Sequence, residues 1–441
     1  MKVQKYVNLL ILLLLFIPIP FLHFCDNQKD TLDISSNLYS TEENDSWTKR
    51  WNILGEDWAD GIVIDSFNNI FLLGWTENRD TKVSYNFLAK VNNSGNLVWL
   101  NSLESYNSSW FYYHTIQIDE DNKIYLAGNL EIQENQYMIL SKYDNEVKQI
   151  WNKTWGGYIL YKGYDMDIDS AGNIYIVGTI KVNQSNYRDM YLLKLNNSGV
   201  MLWNHTLGGE ETSEYYAIAI DFNDDIYIAG SYSYNSILMK YNSSGYCEWN
   251  YTWNNYHNGH SLTIDSGNNI LLVDETVLQK LDPNGAILWN YSLPEEISFT
   301  PNLITNAVND IFLTEERTIK CIDNSFFLAT QGICFAVYLE KFSSSGNFLW
   351  EKRCTGCGDA RSSGIAIDSI GNIYISGTLC SEFECTQSVN DVILMKNPIA
   401  FKRICIEIYY DLIILIITPQ VLIGLIIIIK LIRRRKSLIR I

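Results

Sequence analysis

Histidine is scarce in this sequence of 441 residues, with five in all, and so is positive charge: 33 Lys and Arg stand against 50 Asp and Glu, a formal net charge of -17. The acidic balance excludes a nucleic-acid surface, since no basic stripe is present to neutralise phosphates and the only dense basic cluster is at the extreme C-terminus. The histidines form no metal or triad motif: His23 lies in the N-terminal apolar run, and His257 and His260, in YHNGH, lie in a loop rather than on a helix. DEDNK and DFNDD approach a calcium loop but lack its full acidic spacing and terminal Glu. No metal, cofactor or catalytic residue is therefore expected.

What the sequence does have is repetition. Ile-Asp, a turn, and an apolar strand ending in Gly recur as IDSFNNIFLLG (64 to 74), IDEDNKIYLAG (118 to 128), IDSAGNIYIVG (168 to 178), IDFNDDIYIAG (220 to 230) and IDSIGNIYISG (367 to 377), with degraded copies at 264 and 305. After these come a Lys, a polar turn and a Trp, as in KLNNSGVMLW, which puts Trp at 99, 151, 203, 249, 289 and 350. A period of roughly 40 to 60 residues is that of four-stranded propeller blades. The short runs are rich in β-branched and aromatic residues, and the D-x-x-G-N and N-x-S-G turns supply residues that tolerate positive φ. Each repeated Asp is read as capping its own turn.

These motifs resemble the SBBP-type β-propeller repeat family, over about residues 47 to 396. The resemblance implies an all-β, seven-bladed β-propeller of four-stranded antiparallel blades; TIKCID and FFLATQG within 305 to 350 leave eight blades open. It implies no particular function, because propellers host enzymes, lectins and scaffolds alike. The last copy stops at DVILMKNPIAF without its Trp strand, whereas SWTKRWNILG (46 to 55) is a Trp strand with no blade before it. The segment around Trp51 is thus expected to close the ring by pairing with the strand holding Ile393 and Met395, which removes exposed sheet edges.

The ends read as membrane address. Residues 1–24 are expected to be a signal peptide or N-terminal anchor, 25–46 a flexible lead-in, 47–398 the propeller, 404–432 a transmembrane helix and 433–441 a basic cytoplasmic tail. Lys430, Arg433, Arg434, Arg435, Lys436 and Arg440 place the tail inside and the propeller outside the cell membrane. Ten N-x-S/T triplets, none in the tail, agree with export. Six of nine cysteines, Cys321, Cys334, Cys354, Cys357, Cys380 and Cys385, fall in the last two blades. Four of them resemble a thiolate zinc set, but for an exported chain disulfides are the expectation.

The variable loops between a Trp strand and the next first strand gather near the channel. They bring Trp58, Trp110, Tyr112, Tyr113, Tyr161, Tyr215 and Tyr256 toward one rim as candidate ligand-binding residues, with acidic neighbours. The expected function is a membrane-anchored binding, adhesion or scaffold module whose partner is an extracellular protein or glycan. The alternative is an extracytoplasmic propeller enzyme, glycan-active or quinone-dependent, although the adjacent-Cys pair of the quinone enzymes is absent.

Overall fold

The computed structural model describes residues 46–398, without 79, 104–109, 133–134, 157–160, 182–186, 209–212, 234, 254–260, 275, 295–296, 324–329, 356–359 and 381–389; side chains are also left out at 110, 161–162, 214–215, 297–300, 319–323 and 330–334. The N-terminal segment and most of the lead-in, the expected transmembrane helix and the basic tail therefore lie outside the described residues. Among the described residues no helix is long and apolar enough to cross a membrane.

Among the described residues, twenty-eight strands form seven four-stranded antiparallel sheets. The blades run over 55–102, 110–156, 161–207, 213–253, 261–292, 297–353 and 360–396, numbered here blade 1 to blade 7. The first strand of each blade packs against the first strands of its neighbours, so these seven strands line the axis. Second and third strands, such as IYIVGTI (Ile174–Ile180) and DMYLLKL (Asp189–Leu195), are buried along nearly their whole length because another blade covers each face. Outermost strands such as Met201–Leu207 are mostly exposed.

Ring closure follows the sequence expectation. The fourth strand of blade 7 is Trp47–Trp51, antiparallel to Asn390–Lys396, with Arg50 opposite Ile393 and Thr48 opposite Met395. Its signature tryptophan, however, is Trp47 and not Trp51. In the other blades the repeated Lys pairs with the repeated Trp, as in Lys90 with Trp99 and Lys194 with Trp203, and in blade 7 the same place is taken by Lys396 and Trp47. The seam carries an ion pair between Arg50 and Asp391, and Asn52 Nδ2 donates to Asp391 Oδ1 at 2.8 Å. The blade count is seven. The irregular stretch after 305 is a long hairpin in blade 6, strands Ile311–Asp323 and Thr330–Phe342 paired over thirteen residues each, and no extra blade.

Seven apolar clusters hold the ring, one at each blade-to-blade interface. One joins Phe71, Leu73 and Leu88 of blade 1 to Tyr113, Ile124 and Leu126 of blade 2; another joins Ile62 and Leu72 of blade 1 to Tyr374 and Leu394 of blade 7. Around them the repeated polar residues find uses. Asp169 Oδ1 accepts from the amides of Ala171 and Asn173 at 3.0 and 2.8 Å, and its Oδ2 accepts from Tyr175 OH at 3.0 Å. The repeated Asp residues cap their turns, as read from the sequence. At the tips of these turns Asn68, Asn122, Asp224, Asn268 and Asn309 hold positive φ. Their side chains reach back to the preceding blade: Ser66 N donates to Asn122 Oδ1 at 2.9 Å, and Ser369 N of blade 7 donates to Asn68 Oδ1 of blade 1 at 3.2 Å. The repeated Lys crosses blades as well. Lys194 Nζ lies 4.7 Å from the Tyr175 ring centroid, 3.5 Å from Asp169, and donates to Ser243 O of blade 4 at 2.9 Å.

Five outer-strand tryptophans, Trp47, Trp151, Trp203, Trp249 and Trp289, rest on a glycine of the next blade. A Cβ on Gly95, at φ 78°, would lie 3.0 Å from the Trp47 indole and 2.7 Å from Lys49 Cε. Trp47→Ala should lower unfolding stability by about 2–4 kcal/mol, since an aromatic is removed from the seam joining the two ends of the array. Gly95→Ala should cost more than Gly371→Ala, which has the same backbone strain at φ 92° but no atom within 4 Å of its Cβ. Urea titration checks both; equal midpoints for the two alanine variants would show that the tryptophan contact carries no packing constraint.

Candidate functional site

Five of the axial strands share one irregularity. Pairing of the first with the second strand slips by one residue between Ala59 and Gly61, Tyr113 and Thr115, Gly163 and Asp165, Tyr215 and Ala217, and Ser362 and Gly364. Each slip is a β-bulge whose extra residue is Asp60, His114, Tyr164, Tyr216 or Ser363, and all five line one axial cavity of about 260 Å³. The cause is written in the repeat. Its strand-ending Gly sits opposite the bulge, where the first-strand backbone closes in: a Cβ on Gly128 would lie 2.1 Å from Tyr112 O, and one on Gly74 2.1 Å from Trp58 O. In blade 6, where the repeat has lost this Gly and carries Glu315, the pairing has two irregularities instead of one. Blade 5 carries Asp274 there, and its bulge position lies outside the described residues. Glu315 is instead buried and ion-paired, with Glu340, to Arg317.

The bulge residues stand five positions before the turn residue of each repeat: Asp60 before Asp65, His114 before Asp119, Tyr164 before Asp169, Tyr216 before Asp221 and Ser363 before Asp368. The same position holds His260 in blade 5, outside the described residues, and Pro301 in blade 6. Once the pairing has fixed one bulge, that constant offset locates the others in the sequence. Reading the loops instead of the offset misses Asp60, His114, Asp165 and Ser363.

An arc of rings leads into the cavity. Trp58 stacks on Trp75 with centroids 4.1 Å apart, Trp75 meets Tyr112 edge-on at 6.1 Å, Tyr112 meets His114 at 4.6 Å, and His114, Tyr164 and Tyr216 follow at 6.4 and 6.2 Å. Tyr112 OH donates to Asp60 Oδ1 in a short hydrogen bond. Asn129 Nδ2 donates to His114 Nε2 at 2.5 Å, which fixes the ring. Asp165 is fully engaged: its oxygens accept from the amides of Met166 and Ile218 at 2.8 and 3.0 Å and from Thr115 Oγ1 at 3.4 Å. Asp60 Oδ2 and Ser363 Oγ are shielded from solvent and have no hydrogen-bond partner among the described residues.

Burial dominates the electrostatics. It pushes the Asp60 carboxyl up to about 8, against the hydrogen bond from Tyr112, and the Asp165 carboxyl up to about 6, against its backbone donors. The Tyr112 phenol is held well above its ordinary value by burial and then by the neighbouring Asp60.

Of the rim residues expected from the sequence, Trp58 and Tyr112 belong to this arc. Tyr113 does not: it is 1% exposed, its OH shares a 2.6 Å hydrogen bond with Ser141 Oγ, and it packs in the interface between blades 1 and 2. The physical reason is strand alternation, which turns Tyr112 and Tyr113 to opposite sides of one strand. Trp110, Tyr161 and Tyr215 lie on first strands opposite Glu131, Ile180 and Gly230, with side chains outside the description, and Tyr256 lies outside the described residues. Cys354 is buried, its Sγ donates to Lys352 O at 3.6 Å, and burial pushes the thiol up to about 12. Cys380 is likewise buried in the strand Ile373–Cys380. The side chains of Cys321, Cys334, Cys357 and Cys385 lie outside the described residues.

No family model matches the sequence, and no curated protein matches it. Among solved structures, catalytically inactive virginiamycin B lyase from Staphylococcus aureus with quinupristin is 11% identical with a TM-score of 0.50, covering 79% of this chain and 98% of that one. The selenomethionine-substituted form of the same enzyme is 12% identical with a TM-score of 0.51 and the same coverage. A gluconolactonase from Xanthomonas campestris, 10% identical, reaches only 0.36 over 62% of this chain and 87% of that one. At such identities the first two likenesses establish fold alone, and with the strand order they define the chain as a seven-bladed β-propeller.

Tyr113→Ala should cost about 3–5 kcal/mol of stability as a core truncation. Tyr113→Phe should cost about 1–3 kcal/mol, because Ser141 Oγ is then buried without its partner. A urea midpoint for Tyr113→Ala close to wild type would place this ring on the rim instead.

The pH dependence of Asp60 has a definite sign. The folded chain holds that proton to about pH 8, whereas an unfolded Asp releases it near about 4. Its contribution is complete below the unfolded value and is lost as pH rises through the folded one. The stability difference between wild type and Asp60→Asn should therefore fall as pH is raised from 5 to 9. A flat difference in chemical denaturation would show that Asp60 ionises as an ordinary surface acid.

Proposed function

We propose that this propeller is a binding module, displayed outside the cell from a membrane anchor, that takes a small polar ligand at its axial cavity. The observation that carries this is the convergence of five bulge side chains on one cavity, with buried oxygens of Asp60 and Ser363 left unpartnered there. Buried polar atoms without partners are uncommon in proteins, and a polar cavity lined by them is suited to an occupant that completes their hydrogen bonds. The ring arc from Trp58 to Tyr216 adds flat faces of the kind that stack on sugars and grip peptide side chains.

A binding role is favoured over two-carboxylate hydrolysis because one of the two acids lining the cavity has its oxygens already occupied. Asp165 has both oxygens committed to backbone amides, which leaves Asp60 as the acid with an open acceptor. SBBP-type repeats remain our reading of the blade motif, and export with a single C-terminal span our reading of the hydrophobic ends. Four sequons support the outside placement by their position. Asn152, Asn204, Asn250 and Asn290 each follow a blade tryptophan on an outermost strand, and all four are exposed.

The test is an array of soluble sugars, short peptides and small metabolite-like amines probed with the full-length chain in mild detergent. At least one class should bind, and Tyr164→Ala with Tyr216→Ala should weaken it at least about tenfold, about 1.4 kcal/mol, with the melting temperature kept within a few degrees. Binding that survives the double variant places the ligand elsewhere on the propeller.

A further inference from the structure

The cavity also restricts the chemistry of what enters it. We propose that its ligand is a small organic ammonium ion, held with Asp60 as counter-ion against the Tyr164 and Tyr216 rings. This rests on the reading of the cavity as the binding site. Charge is the first argument: Asp60 and Asp165 line the cavity, and no Lys or Arg does so among the described residues. An anion would meet acidic side chains and no basic one to neutralise it, so anionic ligands are disfavoured.

The second argument is hydrogen bonding. Asp60 Oδ1 is taken by Tyr112 OH, and among the described residues Asp60 Oδ2 has no donor and Ser363 Oγ, on the adjacent blade 7, has no partner. Both oxygens can accept, and a protonated amine carries several N–H donors and no acceptor. Third, part of the wall is aromatic, beside aliphatic residues such as Ile116 and Leu303 and the polar Gln117 and Asn302. Tyr164 and Tyr216 stand 6.2 Å apart at an interplanar angle of 44°, and His114 continues the wall at 6.4 Å. Cations are attracted to the electron-rich faces of such rings. A metal ion does not fit as well: among the described residues no group of three or more His, Cys, Asp or Glu is placed to hold one. The volume of about 260 Å³ suits a cation of a few heavy atoms with accompanying water.

Burial keeps Asp60 protonated up to about pH 8 in the absence of a ligand. An ammonium ion facing it favours the carboxylate, so binding at neutral pH releases one proton from Asp60 to the buffer, and affinity rises as pH approaches the folded value. The titratable groups around it are the Tyr112 phenol bonded to it and, along the cavity wall, His114, Tyr164, Asp165 and Tyr216. Protonation of His114 would push affinity in the same direction, so a His114→Gln variant is needed beside Asp60→Asn.

The experiment is titration calorimetry of the full-length chain with choline and ethanolamine, and with glucose and glycerol as neutral probes, at pH 6 and 8.5 in buffers of different ionisation enthalpy. At least one ammonium probe should bind, at least tenfold more tightly at the higher pH and with proton release. Asp60→Asn should weaken it at least tenfold and abolish the proton release, while His114→Gln should retain both effects. Circular dichroism melts confirm that the variants fold. If a neutral probe binds and is lost in Tyr164→Ala while neither ammonium probe binds, the ammonium assignment is wrong and the cavity site stands. Ammonium binding that Asp60→Asn leaves intact overturns the role of Asp60, and no binding by any probe overturns both readings.

Discussion

Everything in this molecule depends on the pairing of Trp47–Trp51 with Asn390–Lys396. A propeller blade is a small sheet whose second and third strands are apolar on both faces, so it is stable only between two neighbours. An open array of seven would leave an uncovered apolar face at each end. Bringing the first described strand into the last blade covers both at once. The cost is the loop-closure entropy of joining segments more than three hundred residues apart, which grows only slowly with length.

Once the ring is closed, the repeated residues act between blades more than within them. Lys194 lies over Tyr175, beside Asp169 and against Ser243 O of the next blade; Asn122 holds Ser66 of the blade before; Gly95 receives Trp47 of blade 7. These contacts explain why the motif letters recur at fixed spacing. Each blade presents the same polar edge to its successor, and a replacement at one interface disturbs that interface alone.

The axial cavity is a by-product of the same regularity, put to different use. In five blades a Gly of the second strand lets the first strand bulge, and the bulge turns one extra side chain to the axis. The scaffold fixes where that side chain points but not what it is. Asp60, His114, Tyr164, Tyr216 and Ser363 therefore differ from blade to blade while their backbones repeat. Variation on a rigid, repeated framework is the usual way in which a propeller acquires a ligand.

Strand order, blade size, turn chemistry and ring closure were legible in the sequence, because each rests on local rules: alternation, positive-φ turn residues, and a Trp strand displaced from one end of the array to the other. Local rules also identified Trp58 and Tyr112 as candidates. They could not separate Tyr112 from Tyr113, since which of two adjacent strand residues faces the axis depends on the bulge, and the bulge is visible only when the second strand is paired. Nor could they choose Trp47 over Trp51, which register with Lys396 decides. The cavity itself belongs wholly to tertiary structure. Its five bulges are tens to hundreds of positions apart, and only closure of the ring brings them around one axis and shields Asp60 Oδ2 and Ser363 Oγ from solvent.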